Sequence, residues 1–473
     1  MRVPDDRDVA TYMVMGDEML HGQRMYTDVF EQNPPAPYLV FAAAERIVGY
    51  GRHSANALFI IASVLTLLGL TGFGWRVRGR WAPLLPVAWG ALALTSLHLE
   101  SIQAMSEIFM NACLVWVALL CLEPPALAGA RLVEAAALTA LASLFKHVGG
   151  VPGAALIAAR LAWDAWARRN VRSGFRRLFS AGAVAGTIWG AFFAYFAAVG
   201  RWDDFFDTMT RYNIHYASLG FSAGIGKFLA NLADGSPTVP AICIAWLVSI
   251  MLLIRLAPRE RKRATLLLIF HLSAMVAVAL PGQFSVHYYE FLIPPVAMTI
   301  GLCAEAMEGG WAPFHRVPAI VAAGLLAVVF AVDSLWAFRT PEPMYRELFS
   351  TQDSRIPRAI QRVLRPGEKF FVWGNEPWLY VDTRHRPAAG VFWADHARTS
   401  ALADRLAART VRQLDAERPE IIVVSRWRSA EKALSNPVGR YILDNYRPLP
   451  GGDLGDLYLM ARKNGRFFGS SNG

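Results

Sequence analysis

The sequence predicts a polytopic α-helical membrane protein of about ten spans, with a small C-terminal α/β soluble domain. Two observations predict it. Of the 473 residues, 54% are hydrophobic and only 18% are charged, where an ordinary soluble domain carries about 25% charged residues. Long apolar runs fill the chain up to residue 340; beyond it charges and prolines rise and such runs vanish. The net charge of +10 lies largely in short Arg/Lys loops between apolar runs. That placement is the signature of membrane topology and argues against a nucleic-acid partner.

Residues 1–53 read as an acidic outer loop and an interfacial helix. The stretch Asp5–Tyr38 carries Asp5, Asp6, Asp8, Asp17, Glu18, Asp28 and Glu31, with Tyr12, Tyr26 and the pair Pro34-Pro35. Two prolines fix a rigid turn, as a preorganised site needs. Tyr38–Val48 is apolar but broken by Glu45 and Arg46, so it reads as lying on the membrane surface. The first residues are polar and acidic, unlike a cleavable signal peptide.

Residues 54–340 read as the transmembrane part. Spans are expected at Ser54–Gly74, Trp81–Leu99, Glu107–Leu122, Leu132–Lys146, His147–Trp163, Leu178–Val199, Thr238–Leu256, Ala264–Leu280, Glu290–Ala306 and Val317–Trp336. Several fall short of the roughly 20 residues of a perpendicular span, and Leu132–Trp163 is also readable as a re-entrant hairpin. Arg76, Arg78 and Arg80, then Arg168–Arg177, then Arg255–Arg263 form basic loops. Counting spans puts all three on one side, the cytoplasmic side by the positive-inside rule. The loops His98–Ser106, Gly200–Pro237 and Pro281–Tyr289, the acidic stretch and residues 341–473 fall on the other side. No apolar run precedes the acidic stretch to carry it across. Either the N-terminus is translocated directly or a first span lies upstream of Met1. Cys113, Cys121, Cys243 and Cys303 sit in or at the ends of apolar runs without metal-site spacing, and read as small core residues.

After residue 340, Lys369–Trp373, Glu420–Ser425 and Asp456–Arg462 read as strands. Ala397–Glu417 reads as an amphipathic helix, with Leu402, Leu406, Val411 and Leu414 near one face. Strand–helix–strand order suggests a small α/β domain.

Residues with chemical potential gather on the outer side. Asp8 is a carboxylate at the membrane face, able to take a proton from an acceptor hydroxyl or amine; Asp5 and Asp6 compete for that role. The plain alternative is a solvated acidic loop that caps helices. Glu107 opens the third span on the same side, either as a functional acid or as a helix N-terminal acid favoured by the dipole. Lys146, beside His147, needs a polar cavity or an anion unless it snorkels. His287 and Tyr288 can donate hydrogen bonds to a phosphate, or form an aromatic interface belt. Arg201, Arg211 and Lys227 are further phosphate candidates in the longest outer loop. An acid with several cations on one face is what sugar transfer from a lipid-linked phosphate requires. One carboxylate activates the acceptor, and the cations offset charge on a phosphate that leaves without a general acid.

The residues DRDVATYMVMGDEMLHGQRMYTDVFEQNPPAPY, from Asp6 to Tyr38, resemble a pattern D-R-D-E-x-x-Y…G-x-x-[IL]-L-x-G…Y-x-D…P-P…Y. It belongs to the GT-C superfamily, specifically the bacterial relatives of dolichyl-phosphate-mannose–protein mannosyltransferases and lipid A aminoarabinose transferases. Ser106-Glu107-Ile108-Phe109, Leu144-Phe145-Lys146-His147, His287-Tyr288-Tyr289 with Pro294-Pro295, and Phe371-Val372-Trp373-Gly374 resemble later family segments. Val9 stands where Glu is common, Asn33 where a basic residue often precedes the Pro-Pro, and Glu290 where a neutral residue is usual. The resemblance implies an inverting glycosyltransferase in a bacterial inner membrane, working on the periplasmic side without a metal cofactor. Its partners would be membrane lipids, a polyprenyl-phosphate-linked sugar donor and a lipid, glycan or protein acceptor. The implied catalytic residues are Asp8 as base and Glu107 orienting the base or acceptor. The implied substrate-binding residues are Asp6, Asp28, Asn33, Lys146, Arg211, His287 and Tyr288.

Two other classes compete. A transporter or lipid flippase would place ionisable groups near mid-membrane, for which His271 is the main candidate. A membrane anchor for an α/β binding domain would leave the acidic stretch without a purpose.

Overall fold

The computed structural model describes residues 7–221, 224–233, 237–310, 324, 326–335, 355–425 and 436–468. The stretch expected as an acidic loop opens with a helix, α1 (Arg7–Leu20), nearly every residue of which from Val9 to Met15 is buried. After a two-residue strand, β1 (Val29–Phe30), the chain turns at Pro34-Pro35 into α2 (Ala36–Val48), which takes in the helix expected at Tyr38–Val48. Proline suits a helix start because its missing N–H is not needed there. The two helices cross at Gly16, where a Cβ would stand 2.8 Å from both Ala42 N and Glu45 Oε2.

The apolar body follows as α3 (Arg52–Gly74), α4 (Leu84–Leu94), α5 (Ser106–Leu122), α6 (Ala130–Phe145), α7 (Gly150–Ala167) and α8 (Val171–Ala198). Short helices α9 (Trp202–Asp207), α10 (Asn213–Phe221) and α11 (Gly224–Ala233) lead to α12 (Thr238–Leu256), α13 (Arg261–Ala279) and α14 (Ile293–Glu308). Among the described residues five segments are long and apolar enough to cross a membrane: α3, α8, α12, α13 and Val286–Glu308. Their outward faces leave large apolar side chains uncovered, Ile60, Ile61 and Leu68 on α3 and Leu247, Met251 and Ile254 on α12. Lipid covers such faces at no cost, because all the backbone polar groups are satisfied inside the helix. Helix α4 is shorter than the expected Trp81–Leu99. Of Val317–Trp336, the described part Leu326–Leu335 is a short apolar helix; the rest lies outside the described residues, as does the 340/341 boundary.

Leu132–Trp163 is a pair of helices that runs the height of α5. Lys146, in the turn between them, meets Glu107 at the start of α5. At the other end Arg131 and Arg160 donate to the last carbonyls of α5, including Leu120, Cys121 and Glu123. The basic loops gather at that same end. Arg78 and Arg259 border one recess, and the Arg261 guanidinium stands 5.6 Å from the Trp166 ring.

The C-terminal part holds a four-stranded sheet of order β2-β4-β6-β5. Its strands are β2 (Phe371–Trp373), β4 (Ile421–Ser425), β5 (Tyr446–Asp453) and β6 (Leu457–Arg462). β2 and β4 are parallel, and the helix Ala403–Glu417 connects them. The three strands read from the sequence are thus present, and β5 is an addition. The helix starts six residues later than Ala397, after a 3₁₀ turn at Ala394–Ala397. A further strand, β3 (Gly390–Val391), pairs in parallel with β1, Val29 opposite Gly390. Glycine is required there: a Cβ would lie 1.9 Å from the Asp28 carbonyl oxygen. Arg386 adds a two-pronged ion pair to the buried Glu18, at 2.7 and 2.8 Å. The chain is therefore a helical membrane body with a small α/β unit clasped onto its N-terminal stretch.

Glu45, facing Gly16, has both carboxylate oxygens buried without hydrogen-bond partners. Burial, with Asp17 nearby, pushes its pKa up to about 9. The unfolded chain ionises first, from the ordinary 4.5. Stability is then highest below that pH, falls as the pH rises, and levels off once Glu45 ionises in the folded state too. At pH 7 the penalty is on the order of 3 kcal/mol. Glu45→Gln is expected to raise the unfolding temperature at pH 8 clearly more than at pH 5; an equal shift at both would exclude this titration.

Candidate functional site

At the end of the body away from the basic loops lies a cavity of about 470 Å³. Its borders come from three parts of the chain: α1 and the Pro-Pro turn, the loops at the ends of the spans, and the segment Trp393–Ser400 of the C-terminal unit. Asp8, in the first turn of α1, borders it, and an acid there is favoured by the helix dipole.

Three tyrosines hold Asp8's surroundings. Tyr12, one turn along α1, is 2% exposed; its hydroxyl meets Ser106 Oγ at 2.9 Å and accepts from Asn33 Nδ2 at 3.0 Å. Tyr26 donates to the Asn33 carbonyl at 2.8 Å, and Tyr38 accepts from the Asn33 N–H at 3.1 Å. Asn33 borders the cavity and is thereby the fixed point between α1, the turn and α5. Burial holds the hydroxyls of Tyr12, Tyr26 and Tyr38 well above the usual phenol range, so all three stay protonated donors.

Across the cavity stands the cationic wall. Lys146 Nζ donates to Glu107 Oε1 at 2.8 Å and lies 3.8 Å from the centre of the Tyr288 ring. Glu107 is 1% exposed and does not border the cavity; it stands behind Lys146 and aims it. His287 Nδ1 pairs with Glu100 Oε2 at 2.8 Å, and its ring meets Tyr288 edge to face. Lys146, His287, Tyr288 and Glu100 all border the cavity.

Asp8, Asn33, Lys146, His287 and Tyr288 are thus brought together. Two candidates are not. Arg211 is exposed and pairs with Asp207 at 3.5 Å, beside a different recess formed with Ala401–Arg405. Its neighbour Tyr212, within the π-helical turn Thr208–Tyr212, faces the cavity instead. Adjacent side chains of a helical turn point in different directions, so the basic residue and the aromatic one face different ways. Asp28 is bound by Arg24 through two side-chain hydrogen bonds of 2.8 Å, which hold its carboxyl below the usual range, and it lies in a recess beside Gln413 and Lys369. Asp6 and its competitor Asp5 fall outside the described residues. His271 is wholly buried among helices, its Nε2 paired with Thr299 Oγ at 2.9 Å.

Sequence reasoning missed a further set. Glu31 and His396, both nearly buried, are joined at 2.9 Å through Nε2, and His396 Nδ1 meets the Tyr212 hydroxyl at 2.7 Å. A carboxylate accepts only, so Nε2 carries the proton and donates to Glu31. In the neutral ring Nδ1 then accepts from Tyr212, whose hydroxyl burial holds above the usual phenol range. These residues, with Trp393 and Asp395, form the third wall. The pairing joins positions 365 and 184 apart in sequence; only the acidity of Glu31 hinted at it. Among the described residues no group of three or more His, Cys, Asp or Glu side chains is placed to hold a metal.

The fold is similar to that of solved structures. ArnT from Cupriavidus metallidurans bound to undecaprenyl phosphate matches with a TM-score of 0.59 and 15% identity, covering 98% of this chain and 95% of that one. The same protein in the apo state matches with a TM-score of 0.53 and 15% identity, covering 97% and 93%. No family model and no curated protein sequence matches the chain. The likeness shows a fold shared with ArnT, the kind of fold that the N-terminal motif led one to expect.

Removing Lys146 would leave the Glu107 carboxylate buried without its cation, a loss of about 3 kcal/mol. Lys146→Ala is expected to lower the unfolding temperature in lipid well below that of Lys146→Met/Glu107→Gln, which removes both charges. Equal unfolding temperatures would show the pair is not coupled.

Proposed function

We propose that the chain is an inverting glycosyltransferase that moves a sugar from a polyprenyl-phosphate donor to a lipid, glycan or protein acceptor on the periplasmic face of a bacterial inner membrane. The observation that carries this reading is the cavity itself. A carboxylate on one wall, Asp8, faces a wall of cations and donors, Lys146, His287 and Tyr288, at one end of an apolar body. The fold shared with a protein solved with undecaprenyl phosphate supports the choice of carrier.

In this reading the phosphate of the donor lies against Lys146 and His287. Asp8 takes the proton from the acceptor oxygen or nitrogen as that atom bonds to the anomeric carbon. The bond from that carbon to the phosphate oxygen breaks, and its electron pair leaves with the polyprenyl phosphate. Attack and departure on opposite faces invert the anomeric centre. The charge gathering on the phosphate is met by Lys146, which Glu107 and the Tyr288 ring hold in place, and by His287, which Glu100 orients. Such preorganised charge contributes most when water is excluded. Asp8 then returns its proton to solvent. Arg211 and Asp28 have no part, because both are engaged elsewhere. A transport reading is weaker, since His271 is wholly buried among packed helices, its Nε2 hydrogen-bonded with Thr299 Oγ.

The test is transfer by purified protein in lipid from radiolabelled polyprenyl-phosphate sugars, wild type beside Asp8→Asn. A fall of about a hundredfold or more in turnover, with donor binding retained, is expected. Equal activity would remove Asp8 from the chemistry, and absence of turnover with every donor would sink the transferase reading.

A further inference from the structure

The third wall of the cavity differs in chemistry from the other two. It is built by Trp393 and Asp395 with the Glu31–His396 pair behind them, and its ingredients are an aromatic ring, carboxylates and hydroxyls. Trp393 is half-buried, and its indole N–H donates to Thr11 Oγ at 2.8 Å. That bond fixes the ring less than one helical turn from Asp8. Asp395 is exposed at the cavity. Its Oδ2 accepts from Asn375 Nδ2 at 2.9 Å, and Arg398 stands 3.4 Å from Oδ1. His396 cannot swing away, because Glu31 and Tyr212 hold both ring nitrogens.

We infer that Trp393 and Asp395 form the acceptor subsite and that it takes a neutral sugar ring, so the acceptor is a glycan. The inference rests on the transferase reading and narrows its acceptor class. A sugar ring offers an apolar face of C–H groups and a rim of adjacent hydroxyls. An indole covers the first, and a planar carboxylate accepts from two of the second. The Asn375 amide sets the plane of the carboxylate. An anionic headgroup fits worse on this wall, since the exposed Asp395 carboxylate would face it. An apolar peptide side chain would desolvate the exposed Asp395 carboxylate while offering it no further hydrogen bond. The position suits the chemistry, because an acceptor resting on Trp393 presents its hydroxyl to Asp8.

The test is binding of maltose, cellobiose and lactose to the protein in nanodiscs, read by saturation transfer to the sugar ring protons with no donor present. Galactose and galacturonate, alike but for a carboxylate, form a second arm. At least one disaccharide is expected to receive saturation. The signal should fall about fivefold in Trp393→Ala and in Asp395→Ala, persist in Trp393→Tyr, and be unchanged in Arg211→Ala, which lies outside the cavity. Galactose should exceed galacturonate. Asp395 is exposed, so its variant keeps the test decisive if Trp393→Ala fails to fold. No saturation of any disaccharide, full signal in both alanine variants, or galacturonate binding as well as galactose would overturn the inference. Transfer activity without sugar binding sinks this inference alone. Sugar binding with no transfer from any donor sinks the transferase reading, and the acceptor assignment with it.

Discussion

The structure depends on how the backbone of Tyr26–Asn33 is satisfied. This segment crosses the top of the membrane body, where an unpaired buried N–H or C=O would be costly. It finds partners in every direction. Arg409 donates to the Tyr26 carbonyl at 2.7 Å and Gln413 to the Asp28 carbonyl at 2.8 Å. Val29 and Phe30 pair with β3, and Tyr26 and Tyr38 close on Asn33. The partners belong to two parts of the chain, the C-terminal unit and the N-terminal stretch itself, so fixing this segment fixes the distance between them. The cavity is the space left between parts that are held to one another by a shared strap.

That arrangement explains what could be read from the sequence. Spans announce themselves by length and apolarity, which are local properties, and α3, α8, α12 and α13 stood out for that reason. Strands β2, β4 and β6 are short runs of Val, Ile, Phe and Leu between polar residues, again a local signal. Helix α1 was harder. Its Asp17 and Glu18 make it look like a solvated acidic loop, yet Glu18 is buried because Arg386 reaches it from 368 positions away. No periodicity carries such a partner. The two-residue strands β1 and β3 exist only through each other and have no pattern of their own.

The site divides in the same way. Asp8, Lys146, His287 and Tyr288 were legible because charge beside an apolar run is conspicuous. Glu31, His396 and Tyr212 were not, because a histidine in a soluble helix–strand segment and a tyrosine beside an arginine are ordinary until the fold brings them within 2.9 Å. Arg211 drew attention by its charge, and it was the next residue that faced inward. Glu107 was read as orienting the base or acceptor, or as a helix N-terminal acid; in the structure it is buried behind Lys146 and accepts its hydrogen bond.

The clasp between the chain's two ends has a bearing on biosynthesis. Val29 emerges from the ribosome early, and Gly390 and His396 follow only after most of the chain has been made. At roughly 5–20 residues per second that interval is on the order of tens of seconds. During it the membrane helices can pack, but β1 has no β3 and Glu31 has no His396. A nascent chain therefore holds Lys146 and Asp8 without a finished chamber around them until the C-terminal unit has been made. The cavity is complete only once the C-terminal unit has closed on the N-terminal stretch.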